Sequence, residues 1–272
     1  MNKRDMAILK QDQPRGVLKS GVSSGEIVHA RYLPAPDLAP FVEHYWTVEW
    51  DLAEPKVVET LPHPSVHLVL EPGSAQLAGI HTARFSRFLA GRSRVFGVKF
   101  RPGGFRPFIK FPVSTYSEQT LALKSVLGTA AEDLDKQVLM HADHHAAVDV
   151  LETFLRSLDP AADSNAELCA QIVGRIADSR DINKVEMVAT FCGIGMRRLQ
   201  RLFDEYVGVS PKWVIQRYRL HEAAERIAQA IEPDWPDIAL NLGYADQAHF
   251  IRDFRKLVGV TPAEYFLSLP QR

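Results

Sequence analysis

A sequence repeat in the last third of the chain constrains its fold more than any other feature. Its two copies run from Ala189 to Pro211 and from Ala239 to Pro262, and both end in Gly-Val-Ser/Thr-Pro. The offset is 50 residues at the start and 51 at the end, so one residue is inserted in the middle. The matched small and apolar positions are Ala189, Gly193, Leu199 and Phe203 in the first copy and Ala239, Gly243, Phe250 and Phe254 in the second.

Each copy has the pattern of a helix-turn-helix. Gly193 and Gly243 follow the alanine by four residues, where a residue with positive φ ends a helix and opens a turn. The apolar pair after each turn has i,i+4 spacing, which fixes a second helix to the core. The inserted residue falls in the turn region, where an insertion is easily accommodated. The repeat therefore predicts two helix-turn-helix units.

The ends of the predicted helices are also encoded. Ser210 and Thr261 are N-cap residues followed by proline, and Thr261 with Glu264 has the spacing of a capping box. Residues 211–231 between the copies predict one long helix. Twenty helical residues span roughly 30 Å, close to the ~34 Å between successive major grooves on one face of DNA.

The second helix of each unit leaves a polar face. In the first copy it carries Arg197, Arg198, Gln200 and Arg201, and in the second Gln247, His249 and Arg252. Arginine to guanine and glutamine to adenine are favourable pairings in the major groove. Lys212 belongs to a basic segment, 194–219, and is assigned to phosphate contacts. Arg255 and Lys256 add a smaller basic cluster.

These residues resemble a known family. The segments GIGMRRLQRLFDEYVGVSP and IALNLGYADQAHFIRDFRKLVGVTPAEYF are similar to the DNA-binding domain of AraC/XylS-type regulators, over roughly residues 165–268. The resemblance implies that the base-reading residues are Arg197, Gln200 and Arg201 in the first unit and Gln247, Ala248, His249 and Arg252 in the second. Gly195 replaces the family's usual capping serine, and Ala248 replaces a frequent polar reader, so it offers an apolar contact such as one to a thymine methyl.

The first half of the chain has a different texture. Short apolar runs such as FVEHYWTVEW, VHLVL, SRVFGVKF and FIKF predict strands between about 32 and 115, and helical spacing follows from 117 to 158. LPHPSVHLVLE (61–71) and FGVKFRPGGFRPFI (96–109) resemble a sensor-like domain of some of these regulators. We predict an α+β chain: a β-rich sensory domain with C-terminal helices (1–158), a linker (159–165) and an all-α tandem helix-turn-helix domain (166–272).

Composition excludes several other classes. The formal net charge of −1 means that a nucleic-acid surface must be a local patch. The sequence has no apolar run of 18 residues, and its charged start lacks the apolar core of an export signal. Two cysteines, Cys169 and Cys192, make no disulfide framework, so a cytoplasmic location is expected. No nucleophile elbow, phosphate loop or catalytic triad is apparent, and we predict neither an enzyme nor a cofactor.

Three groups of residues in the first half are open to alternative interpretations. His63, His67, His81 and Glu71 form a candidate metal site, but the flanking prolines exclude a helix, and structural or surface histidines are favoured. The segment from Arg84 to Lys110 has eight basic residues and no acidic one. There Lys99 and Arg101 are candidate contacts for an anionic effector. The alternatives are that this segment faces DNA, is a solvated strand face or forms a domain interface. The aromatic residues Tyr45, Trp46 and Trp50 either line a pocket or, preferably, pack in the core.

The sequence therefore predicts a DNA-binding transcriptional regulator whose first domain responds to an effector. The expected partners are a double-stranded DNA operator and RNA polymerase, with a small-molecule effector and a homodimer as further candidates and no membrane. An enzyme or ligand-binding protein that merely shares the helical repeat is one alternative. A protein-interaction adaptor without sequence-dependent affinity for DNA is another.

Overall fold

The fold is described from a computed structural model, which covers residues 17–18, 26–179 and 181–269. The first 25 residues of the predicted sensory domain thus lie largely outside the described part. Within it the chain builds one antiparallel sheet, followed by helices. The fold class predicted from the sequence, a β-rich part followed by an all-helical part, is confirmed.

The sheet has seven strands within the described residues. They are β1 (Val17–Leu18), β2 (Ile27–Tyr32), β3 (Val42–Thr60), β4 (His67–Glu71), β5 (Ser74–Ala78), β6 (Phe85–Phe100) and β7 (Thr120–Ala122). The order is β1-β3-β6-β4-β5-β7, and β2 also pairs with β3. The long strands β3 and β6 form the backbone of the sheet, with register shifts after Val42 and after Leu52. The predicted strand at 108–111 does not form. Phe108 ends a short 3-10 turn, and the neighbouring prolines supply no backbone donor for a ladder.

Side chains alternate between two faces of this sheet because successive residues of a strand point in opposite directions. One row joins Tyr45, Val98 and Leu68 on adjacent strands, all fully buried. It forms the main core together with the following helices, α1 (Leu123–Leu127), α2 (Leu134–Leu139) and α3 (His144–Ser157). The next row, on the opposite face, joins His44, Lys99 and His67. The second face of the sheet is therefore partly polar.

Two buried apolar clusters organise the remaining helices. The helices are α4 (Ser164–Asp178), α5 (Val185–Cys192), α6 (Met196–Leu202), α7 (Pro211–Gln229), α8 (Trp235–Asn241), α9 (Gln247–Val258) and α10 (Pro262–Ser268). One cluster unites α4, α5 and α6 with the first half of α7, and the other unites the second half of α7 with α8, α9 and α10. Helix α7 is thus shared by both units.

The local signals identified in the repeat are present. Gly193 and Gly243 have φ of 62° and 78° and follow α5 and α8. Ser210 caps α7 by accepting a hydrogen bond from the Trp213 amide, and Thr261 with Glu264 forms the capping box of α10. Helix α4 begins at Ser164, inside the segment predicted as linker.

The sheet domain and the helical domain are in direct contact. Arg106 Nε lies 2.6 Å from Glu205 Oε1, and Ser117 donates a hydrogen bond to the Gly208 carbonyl oxygen. Leu61 inserts into the apolar cluster of the second unit. The side chain of Arg217 on α7 is 2% exposed and donates through Nε to the Pro62 carbonyl oxygen at 2.7 Å. A second nitrogen of this guanidinium lies 3.0 Å from Nδ1 of the next residue, His63.

Helix α6 lacks a side-chain cap, which gives a first prediction. Gly195 occupies its N-cap with ordinary extended dihedrals and open space where a Cβ would lie, whereas Asp246 caps α9. Gly195→Ser should stabilise the protein by about 0.5–1 kcal/mol, because it adds a cap and restricts the unfolded chain. Gly193→Ser is the matched control and should cost about 1–2 kcal/mol, since its φ is positive. Urea denaturation measures both changes, and a loss of stability in Gly195→Ser would contradict this account.

The histidines at the contact between the domains give a second prediction. Burial lowers the pKa of His67 to about 3, with the charges of Lys99 and His44 adding to the effect and Glu43 opposing it. Because the pKa in the folded protein is lower than in the unfolded chain, stability is present above pH 6.5 and is lost as the pH falls below it. Lowering the pH from 7.5 to 5.5 should destabilise the folded wild type, and His67→Gln should reduce that loss of unfolding free energy by about 1 kcal/mol. Thermal melts at both pH values measure the effect, and an unchanged pH dependence in His67→Gln would contradict it.

Candidate functional site

The exposed face of α6 carries the residues predicted to read DNA in the first unit. Arg197, Gln200 and Arg201 are all exposed, whereas Leu199 and Phe203 are fully buried. The helix is seven residues long and continues into a π-helical turn, Phe203–Val207. The three polar side chains therefore project from one short helix that is anchored by its apolar side.

The second unit presents a longer helix, α9, with the same division of faces. Gln247, Ala248 and Arg252 are exposed, and the phenylalanines at 250 and 254 are fully buried. His249 differs from the others, because its Nε2 atom lies 3.4 Å from Asp253 Oδ2. Asp253 also accepts a hydrogen bond from Gln216 of α7 at 3.0 Å. His249 would have to leave this carboxylate to contact a base.

Basic side chains flank both recognition helices. Lys212 is exposed in the first turn of α7. On the second unit, a cleft of about 550 Å³ is lined by Ala248, Ile251, Arg252, Arg255, Lys256 and Thr261. It brings the predicted readers Ala248 and Arg252 beside Arg255 and Lys256, which the sequence marked only as a basic cluster. This geometry suits contacts to a phosphate backbone.

Two of the basic residues at the end of segment 194–219 do not face solvent. Arg217 and Arg219 are 2% and 5% exposed, and Arg219 donates to the Ile182 carbonyl oxygen at 2.6 Å. The sequence grouped them with the DNA-facing arginines, and the structure corrects this. The spacing of Val214, Arg217 and Ala224 along one side of α7 is the sequence signal that would have placed Arg217 inside.

The two candidate effector residues occupy different positions. Lys99 lies on the second face of β6, where its Nζ atom contacts Glu43 Oε1 at 2.9 Å. Burial lowers the pKa of Lys99, and Glu43 partly restores it. Arg101 follows the end of β6, is exposed and donates through Nε to the Ala39 carbonyl oxygen. Because β6 ends at Phe100, Arg101 lies beyond the strand and does not share a strand face with Lys99.

The acid-free segment from Arg84 to Lys110 is largely neutralised by other parts of the chain. Its ion pairs are Arg84 with Glu59, Arg87 with Glu71, Arg94 with Glu49, Lys99 with Glu43 and Arg106 with Glu205. The carboxylates come from neighbouring strands and from the turn after α6, so the local charge run overstated the exposed positive charge. An external anion is not required to compensate Lys99.

A cavity of about 1610 Å³ separates the second face of the sheet from helices α4 and α7. Its floor includes Trp46, Trp50 and Val95, and Tyr45 lies on the other face in the main core. Of the ten histidines in the chain, six line this cavity: His29, His44, His63, His67, His81 and His221. Of the three aromatic strand residues, Trp46 and Trp50 therefore line a cavity, whereas Tyr45 packs in the core.

The polar end of the cavity concentrates buried positive charge. Burial lowers the pKa of His63 well below its ordinary value, and the nearby charges of Arg217 and Lys99 lower it further. The pKa of Arg217 is also lowered by burial. Burial would raise the pKa of Glu43, but its contacts with His44 and Lys99 outweigh this and lower it to about 2. Among the described residues, no three His, Cys, Asp or Glu side chains are placed to hold a metal ion.

Comparison with known proteins identifies both parts of the chain. Residues 188–268 match a helix-turn-helix domain, and residues 30–122 match a domain of unknown function, DUF6597. The probable transcription factor PqrA of Proteus vulgaris is 34% identical over 82 residues, which are 30% of this chain and 66% of the relative. The arabinose operon regulatory protein of Escherichia coli is 28% identical over 116 residues, which are 42% and 39% of the two chains. The chain thus spans less than two thirds of the length of these relatives.

A solved structure of ToxT from Vibrio cholerae covers 90% of this chain and 98% of its own, with 12% identity and a TM-score of 0.40. That score is too low to transfer a domain arrangement or a ligand. No helix in the part of the chain that the structure describes has the length and apolar character to span a bilayer. The exposed faces of α6 and α9 and the match over 188–268 lead to one assignment. Residues 188–268 are a helix-turn-helix domain similar to that of named transcriptional regulators, and the domain of unknown function at residues 30–122 precedes it.

Proposed function

We propose that the protein is a transcriptional regulator that binds a specific DNA operator through both helix-turn-helix units. The observation that carries this proposal is the pair of exposed polar faces on α6 and α9, held by the shared helix α7. With 19 residues, α7 is about 28 Å long, close to the ~34 Å between adjacent major grooves. One chain can then read two grooves without dimerising.

The exposed residues divide into two roles. Arg201 and Arg252 suit bidentate contacts to guanine, and Gln200 and Gln247 suit contacts to adenine, with Arg197 as a further reader. Ala248 offers an apolar surface to a thymine methyl group, and His249 contacts a base only after leaving Asp253. Lys212, Arg255 and Lys256 contact phosphates, which set the register on the duplex.

The division between the domains fits regulation by an effector in the first domain. The cavity is lined by residues of both the sheet and α7, so a ligand bound there would contact the helix that joins the two units. The relatives include an arabinose operon regulatory protein and, in Yersinia enterocolitica, a virulence regulon transcriptional activator, VirF. By analogy we propose RNA polymerase as a partner and the cytoplasm, where operator DNA lies, as the location. A homodimer and a purely non-enzymatic role are part of the same proposal.

Selection of bound duplexes from a random pool, with the full-length protein, tests the proposal directly. The expected result is an enriched site with two half-sites spaced by about one helical turn. Recovery of sequences without any common motif, at a salt concentration that preserves phosphate contacts, would argue for an interaction adaptor instead.

Two single substitutions test the division of roles. Arg201→Ala should cost roughly 1–3 kcal/mol on the selected site and relax preference at one or two base pairs. Lys212→Ala should weaken all sequences alike and reduce the salt dependence of binding. Mobility shifts on the selected duplex and on point variants of it, at several salt concentrations, separate the outcomes. Equal effects of both changes on base preference would contradict the assignment.

A further inference from the structure

The two helix-turn-helix units touch each other outside the helix they share. The loop at 181–183, between α4 and α5, lies against the turn after α8. A Cβ added to Gly243 in that turn would lie 2.9 Å from Nδ2 of Asn183. In the first unit, a Cβ added to Gly193 would enter open space among the described residues. Gly243 therefore has a second role, because its missing side chain leaves room for a residue of the other unit.

Arg219 holds this loop from the middle of α7. It lies where the helix passes from one apolar cluster to the other, since Ile215 belongs to the first cluster and Leu220 to the second. Arg219 is 5% exposed and donates a hydrogen bond to the Ile182 carbonyl oxygen at 2.6 Å. Its burial lowers the pKa of the guanidinium. A buried guanidinium needs such an acceptor, so the loop is fixed to α7 at this point.

The residue after the turn glycine, Tyr244, carries the contact into the second unit. Burial raises the pKa of Tyr244, the charge of Asp253 on α9 raises it further, and the charge of Arg219 lowers it. Its hydroxyl group is therefore within range of both charges. The ring of Tyr244 lies edge-on to His249 and beside Phe250, with centroids 5.2 and 5.5 Å apart. A chain of contacts thus leads from the first unit, through Arg219, to the recognition helix of the second.

We propose that Arg219 is a positioning residue that fixes the distance and rotation between the two recognition helices, so that the protein selects DNA by the spacing of its half-sites. The inference rests on the proposed function and adds to it a requirement that base-reading residues do not supply. One base pair inserted between the half-sites moves the second by about 3.4 Å and rotates it by about 35°. Two helices held at a fixed distance and rotation cannot follow that change.

The apolar clusters of the two units are separate, which is why a contact between the units matters. One cluster includes the first half of α7 and the other its second half. Without the contact at Arg219, α7 would be the main connection, and the units would have more freedom to turn relative to each other. Fewer molecules would then hold both recognition helices in place for the best site, and more would reach a shifted one. Affinity for the best duplex and discrimination by spacing should therefore fall together.

Mobility shifts with the full-length protein test the inference on the selected duplex and on versions with one base pair inserted or removed between the half-sites. The wild type should bind each shifted duplex at least about tenfold more weakly. Arg219→Met keeps an unbranched stem and removes the donor to Ile182. Its loss on the shifted duplexes should be less than about threefold, with unchanged base preference inside each half-site. A loss equal to that of the wild type would overturn the inference.

Two further variants control for a general effect on α7. Arg226→Met is the matched control, because Arg226 pairs with Glu222 one turn earlier on the same helix, and it should keep the wild-type loss. Asn183→Ala removes the exposed side chain over Gly243 and should reduce the loss at least about twofold. Asn183→Ala decides the question if Arg219→Met does not fold. An equal reduction in Arg226→Met and Arg219→Met would overturn the assignment to Arg219.

A measurement without DNA separates this inference from the proposed function. Spin labels on Arg198→Cys in α6 and Arg255→Cys in α9 report the distance between the recognition helices, with Cys192→Ala as background and the fully buried Cys169 retained. Adding Arg219→Met should make the distance distribution at least about twice as wide. If the widths are equal, the inference is wrong even where a duplex is selected. If no duplex is selected but the widths differ, the proposed function is wrong and the positioning role stands.

Discussion

A guanidinium buried between the two parts of the chain constrains the rest of the structure. Arg217 is 2% exposed and projects from α7 toward the loop after β3. Leaving such a charge without hydrogen bonds would cost several kcal/mol, so the loop at 62–63 has to present its carbonyl and imidazole acceptors there. The first domain therefore contacts α7 at this loop. Contacts at Glu205 and Gly208 fix the end of the first unit to the same domain.

The antiparallel sheet packs an apolar core on one face and presents polar side chains on the other. Its first face packs on α2 and α3 and supplies the stability of the domain, since its side chains are almost wholly buried. Its second face is free to be polar, because the period of two separates the two sets of side chains completely. A one-residue change of register in β6 would exchange Val98 for Lys99 in the main core. The many cross-strand pairs of β3 and β6 prevent that exchange.

The sequence predicted the helical part well because its signals are local. Glycines at 193 and 243, the caps at 210 and 261, and the apolar i,i+4 pairs each act within a few residues. It failed where partners are distant in sequence. The acid-free segment beginning at Arg84 has the pattern of exposed positive charge, yet Glu59, Glu71 and Glu43 neutralise much of it from adjacent strands. Similarly, nothing near Arg217 in the chain indicates Pro62, 155 residues away, as its partner. The assignment of base-reading residues remains a prediction, since it depends on contacts with DNA.

The two units differ in how firmly their recognition helices are held. Helix α9 has 12 residues and a capping Asp246, and Asp253 ties it to α7 through Gln216. Helix α6 has seven residues, an uncapped start at Gly195 and a π-helical end that contacts the first domain. The less constrained helix is therefore the one whose far end rests on the domain with the cavity. A shift of that domain would reach α6 through its π-helical end and the second unit through Leu61 and α7, and α6, which has fewer constraints, would move more.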